Sequence, residues 1–265
     1  MLFSQSKNAS LESLGLDKLV LRTNPTLSSK KNIFQNHIFE VEKINPLRTK
    51  VNVPILIGVG TLYFGAGAYI NSEQRKAWWQ NQRGKFHFVN DWEYALWIDK
   101  AGHFFGTQLL AHTFTSAFDA ADVPTEEGII IASTAALLFQ LYIEHEDGYA
   151  TNWGFSPGDA SANVLGALYP ILRFYYPYLN NFSFKMSYWP ANLNKVDPIS
   201  GHETILTDDH EGHKFWLSAR MNNLLPNKLE KYWPDFLALA VGMGVKDLDG
   251  LGGGTRDFYI ALDFD

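Results

Sequence analysis

Apolar and polar positions divide the chain into three textures. Residues 1–50 are polar, rich in Ser, Asn and Lys, and carry eight Lys or Arg; they read as a loose tail with one short helix near Leu11–Leu21. Val53–Ile70, VPILIGVGTLYFGAGAYI, is then eighteen residues without a charge, at the lower end of what spans a bilayer. Its glycines, Gly58, Gly60, Gly65 and Gly67, suit close helix packing in lipid. A second apolar segment, Ile98–Phe118, is broken only by Asp99, Lys100, His103 and His112. The third, Gly128–Ile143, has sixteen uncharged residues, and the fourth, Ala160–Leu179, is charged only at Arg173. Trp78, Trp79, Trp92, Trp97, Trp153, Tyr175, Tyr176 and Tyr178 gather near the segment ends, as interfacial aromatic belts do.

After Leu179 the period changes. Phe182, Phe184, Met186 and Tyr188 alternate with Ser183, Lys185 and Ser187, which is a strand pattern. HKFWLSARM alternates more weakly, and Phe258, Ile260, Leu262 and Phe264 alternate again near the end. The expected fold is mainly α: a helical membrane-type bundle of about four apolar helices over 51–180. A polar tail, 1–50, precedes it, and a small antiparallel β-rich extension, 181–265, follows. A soluble helical bundle would bury segments of the same kind.

Composition narrows the function. The 28 acids and 22 bases leave a net charge of −6, which offers no basic patch for nucleic acid. With no cysteine, disulfides, thiolate nucleophiles and Cys-ligated zinc are excluded among these residues.

The candidate chemistry sits at the segment ends. Asp99 and His103 are four apart and share a helix face; Lys100 points elsewhere, toward an interface it can snorkel to. The third segment ends at Glu144, and Asp147 shares its face if the helix persists. The fourth opens with SPGDASANVLG, where Ser156 or Asp159 can cap the helix. Asp159, Asn163 and Gly166 form one stripe, and the glycine admits a neighbouring helix. Alternation of spans brings all three motifs to the same membrane face. Ionisable groups at membrane depth mark function. Asp99, His103, Glu144 and Asp159 offer oxygen and imidazole ligands suited to Zn, Mn or Mg, and paired carboxylates with a histidine for acid–base work. Lys100, Asp147 and Asn163 are the accompanying binding candidates. Such a site would hold a divalent metal ion or a lipid or glycan head group. The alternative is a non-catalytic protein in which the same residues are interhelical glue and the β-rich part contacts an envelope partner. The sequence defines no reaction.

Two other stretches carry less. GHETILTDDHEGH, 201–213, does not match the helical H-E-x-x-H zinc motif and reads as a solvated loop. LDGLGGGTRD, 248–257, lacks the G-K-[ST] of a phosphate cradle and reads as a strand-linking turn.

The motifs DKAGHF (99–104), IEHEDGYATNWGFSPGDASAN (143–163) and DDHEGHKFWLS (208–218) resemble the YfiM-like family of bacterial envelope proteins, across roughly 90–265. The order of the first two also resembles that of VanZ-like membrane proteins over 98–166. The first resemblance implies a membrane-associated envelope protein, a predicted periplasmic lipoprotein, although no lipid-acceptor cysteine lies among these residues. The second implies a link to glycopeptide (teicoplanin) tolerance at the cell surface. Membrane lipids, and an envelope protein or glycan, are the partners implied.

Overall fold

Asn52 opens the first helix by accepting a hydrogen bond from the Ile55 amide at 3.3 Å, and Pro54 sits in the first turn, where a missing N–H does no harm. This helix, α1, spans Val53–Gln74. It is followed by α2 (Ile98–Ala120), α3 (Thr125–Asp147) and α4 (Pro157–Tyr175). The computed structural model describes residues 50–79, 83–196, 203–250 and 252–264, all within one unit, Ile44–Asp265. The predicted helix near Leu11–Leu21, and the polar tail up to residue 49, lie outside the described residues.

The three helices α2, α3 and α4 pack against one another through small residues: Ala111, Ala132, Ser133, Ala136 and Ala167 are all buried. The expected Asp159/Asn163/Gly166 stripe is the contact face of α4. A Cβ on Gly166 would stand 2.3 Å from the Phe104 carbonyl oxygen, so α4 crosses α2 at backbone distance. Hydroxyls inside the helices bond back to their own helix, among them Thr107 to His103 O, Thr113 to Leu109 O and Thr134 to Ile130 O. That leaves few side-chain polar atoms to solvate on the outer faces.

α1 stands apart from this packing. Tyr63 donates to Thr113 O at 2.8 Å and meets Phe114 edge-on, and the Tyr142 hydroxyl donates to Asn71 Oδ1. Otherwise the helix is uncovered, with Phe64 83% and Leu62 70% exposed.

The expectation of four spanning helices needs correction. Two of the four, α1 and α3, are long and apolar enough to cross a membrane; none of that window is buried in α1, and 33% is in α3. α2 carries Asp99, Lys100 and His103 in its opening turns, and α4 carries Asp159 and Arg173 with Pro170 between them.

The C-terminal part is a four-stranded antiparallel sheet in the order β1 (Phe182–Tyr188), β2 (His213–Arg220), β3 (Leu237–Lys246), β4 (Thr255–Phe264). Three of these strands fall on the alternating segments. The fourth, β3, has no alternating signal: LALAVGMGVK is apolar up to its final Lys246, because Ala238 and Ala240 are buried while Leu239 and Val241 occupy the other face. The register Leu217↔Val241↔Ile260 builds one apolar face. Phe104 and Phe105 of α2 cover its β1–β2 side by packing on Phe184 and Phe215.

Candidate functional site

The connection between α3 and α4 is held by the segment before α2. His87 exchanges backbone hydrogen bonds with Gly148 and Phe155, and Val89 donates to Phe155 O, so residues 83–89 run along the turn 148–155. Phe86, Phe88, Tyr149 and Phe155 pack over this crossing. It carries Asp91 to Ser156, whose hydroxyl donates to Asp91 Oδ1 at 2.6 Å while accepting from the Asp159 amide at 3.0 Å. Ser156 is therefore the N-cap of α4, leaving the Asp159 carboxylate free for other partners.

Lys100 fills the centre. The expectation that it points away toward an interface is overturned: it is buried, with its ammonium 2.8 Å from Asp91, 3.0 Å from Asp99 and 2.8 Å from Asp159. The reason is its place in the first turn of α2, where a long side chain can reach back to the incoming loop and across to the start of α4. Burial alone would lower the lysine pKa; the surrounding carboxylates raise it instead.

His103 stands one turn deeper, with acceptors on both edges of its ring. Nδ1 faces Asn163 Oδ1 at 3.3 Å and Glu144 Oε1 at 3.5 Å. Nε2 faces Asp99 Oδ1 at 3.7 Å and Asp159 Oδ2 at 3.9 Å. Burial would lower its pKa, but the carboxylates of Asp99, Asp159 and Glu144 outweigh it and raise it. Glu144, 2% exposed, accepts from the Ser156 amide through its other oxygen at 3.2 Å. Asn163 is fully buried; its Oδ1 accepts from Thr107, and its Nδ2 has no hydrogen-bond partner among the described residues. Burial would raise Asp99 as well, yet His103, His210 and Lys100 hold it below the usual carboxylate range. Burial, followed by the Asp99 charge, pushes Asp159 up to about 7.

Six of the seven residues singled out in the sequence thus meet: Asp99, Lys100, His103, Glu144, Asp159 and Asn163. Asp147 is directed to the edge of the group, where it accepts from Trp79 Nε1 at 2.6 Å. Sequence reasoning missed Asp91, Ser156 as a bonded partner, and Thr107. It also missed His210, which comes near enough to Asp99 for each to feel the other's charge. Only a turn-like N-D-W preceding the helix hinted at Asp91.

The loop 201–213, expected to be solvated, is so only in part: Glu203, Leu206 and Thr207 are exposed, but Asp209 and His213 are buried, while Gly201 and His202 fall outside the described residues. Asp209 accepts from Tyr188 Oη (3.0 Å) and from the amides of Ala191 and Asn192 (2.9 Å each). His210 lies edge-on to Tyr94. Tyr94 itself begins a left-handed turn, with positive φ at Ala95 (47°), Leu96 (53°) and Trp97 (78°), that leads into α2. Arg256 of β4 holds this turn by donating to Leu96 O at 3.0 Å.

The chemistry available follows from the ring of His103. Nδ1 has two acceptors before it, so the tautomer with its hydrogen on Nδ1 is the one these contacts favour. Nε2 then points at two carboxylates, an arrangement relieved either by a proton on Nε2, which the raised imidazole pKa favours, or by a cation between them. The contacts of 3.7 and 3.9 Å are too long for hydrogen bonds. They match two ligands that each stand about 2.1 Å from one ion. The ligand atoms of Asp99, His103 and Asp159 lie within 4.8 Å of one another. Glu144 belongs instead to the Nδ1 edge, as a partner that orients the ring.

Residues 87–175 match a family model described as predicted periplasmic lipoprotein (DUF2279). The match runs from the loop ahead of α2 to the end of α4 and takes in the whole polar cluster except the approach of His210. It fits a membrane-associated protein of the cell envelope. No curated protein and no solved structure matches the chain.

Proposed function

We propose that this is a membrane-associated envelope protein that binds a divalent cation through Asp99, His103 and Asp159, with Glu144 and Asn163 orienting the imidazole. The observation that carries this reading is the opposition of Nε2 to two carboxylates at 3.7 and 3.9 Å. The count of groups supports it: the carboxyl groups of Asp91, Asp99, Glu144 and Asp159 converge on Lys100 and His103, so acceptor oxygens outnumber the cationic donors. The uncovered face of α1 supports anchoring among membrane lipids, and the YfiM-like and VanZ-like resemblances agree with an envelope setting. Zn²⁺ and Mn²⁺ suit one imidazole with two carboxylates.

The test is metal analysis of the purified wild type, Asp159→Ala and His103→Ala proteins, with melting temperatures before and after Mn²⁺ or Zn²⁺ is added. Metal in the wild type alone, and a shift in the wild type alone, is the expected outcome. Equal near-zero metal in all three, without a shift, sinks the reading.

A second reading is favoured by Lys100, whose ammonium already bridges three carboxylates within 3.0 Å. In it the cluster is interhelical glue, and the sheet serves a protein or glycan partner. That reading requires Asp159→Asn to lower thermal stability whether or not metal is present.

A further inference from the structure

A second polar feature lies at the C-terminal end of α1, outside the cluster. There the helix passes into a π-helical turn, Arg75–Trp79, a local widening that re-aims side chains and is frequent at binding sites. An open cavity of about 610 Å³ sits against this turn, walled by Asn71, Ser72, Arg75, Lys76, Trp79 and Arg83. Among the described residues no carboxylate lines it. Glu73 and Glu146, which pair with Lys76 and Arg83 at 2.7 Å each, stand outside the wall. Arg75 has no ion pair among the described residues. Two guanidinium groups, an ammonium, a hydroxyl and an amide therefore share one space, in which Arg75 supplies positive charge that no described carboxylate pairs.

Position adds an independent argument. The cavity begins where the uncovered apolar surface of α1 ends, and the indoles of Trp78 and Trp79 there turn inward to Asp208 and Asp147. The end of an apolar helix of 22 residues is the depth at which phosphates lie in a bilayer. Planar, multidentate donors such as Arg75 suit phosphate oxygens.

We propose that this cavity binds a phosphate group, that of an anionic membrane lipid, with Arg75 as its principal contact. The site is separate from the cation cluster, and the two stand or fall independently.

The experiment is native mass spectrometry of the detergent-solubilised full chain with an equimolar mixture of phosphatidylglycerol and phosphatidylcholine. One phosphatidylglycerol bound in preference to phosphatidylcholine is expected. Arg75→Gln should weaken it about tenfold, the loss of one charge-assisted contact, with an unchanged melting temperature. Inorganic phosphate should compete; if it binds as tightly as the lipid, the phosphate chemistry holds and free phosphate is the ligand. Equal binding of the two lipids overturns the proposal. So does wild-type affinity in both Arg75→Gln and Lys76→Gln.

Discussion

The molecule buries two groups of acids and histidines, and they are built on opposite terms. Around Asp209 every acceptor meets a donor: a hydroxyl and two backbone amides within 3.0 Å satisfy the carboxylate. Around His103 acceptors face acceptors, and four carboxylates share one ammonium and one imidazole. Burial is common to both, so burial does not mark a site. What separates the proposed binding centre from the brace is its surplus of acceptor groups over donors, which a bound cation would offset.

Removing the one fixed cation tests this contrast hardest. Lys100→Met leaves Asp91, Asp99 and Asp159 without their shared ammonium, and chemical denaturation should report a loss of about 3–5 kcal/mol. The same denaturation series on Asp209→Ala should show about 3 kcal/mol, because three donors lose their acceptor, with metal content untouched. The brace also has a pH signature. Burial alone would raise Asp209, but the amides of Ala191 and Asn192 and the Tyr188 hydroxyl outweigh it and hold its pKa below the ordinary value. Its contribution is thus present above the unfolded-state pKa, about 3.9, and is lost as pH falls through the lower folded value. Melting curves below about pH 4 should therefore converge for wild type and Asp209→Ala. The smallest effect is the most telling. Asp159→Asn in metal-free protein should be neutral or stabilising by about 1 kcal/mol if surplus charge is the rule. A clear loss of stability in that variant would place the His103 group beside Asp209 as another brace.

The helices were legible because apolar runs and a Ser-Pro cap are local signals. Ile98 and Val53 begin the helices at the expected positions, and the Asp159/Asn163/Gly166 stripe lies where its spacing puts it. β3 was hidden because both its faces are apolar, so period two vanishes. The direction of Lys100 was hidden because it depends on Asp91 and Asp159, which are brought in by other segments. His210 was hidden for the same reason: nothing near it in sequence announces Asp99, more than a hundred positions earlier. Which helices have the length and apolarity to span a membrane turns on charges in their opening turns, and counting uncharged segments understated those.

The left-handed turn at Ala95–Trp97 has a consequence in time. Each such residue costs about 1–2 kcal/mol on its own, and the hydrogen bond that holds Leu96 comes from Arg256, 160 residues later. A growing chain that has already made all four helices still lacks the strand that fastens the entrance to α2. The entrance to α2 is consequently fastened late, after β4 has emerged and closed a long loop.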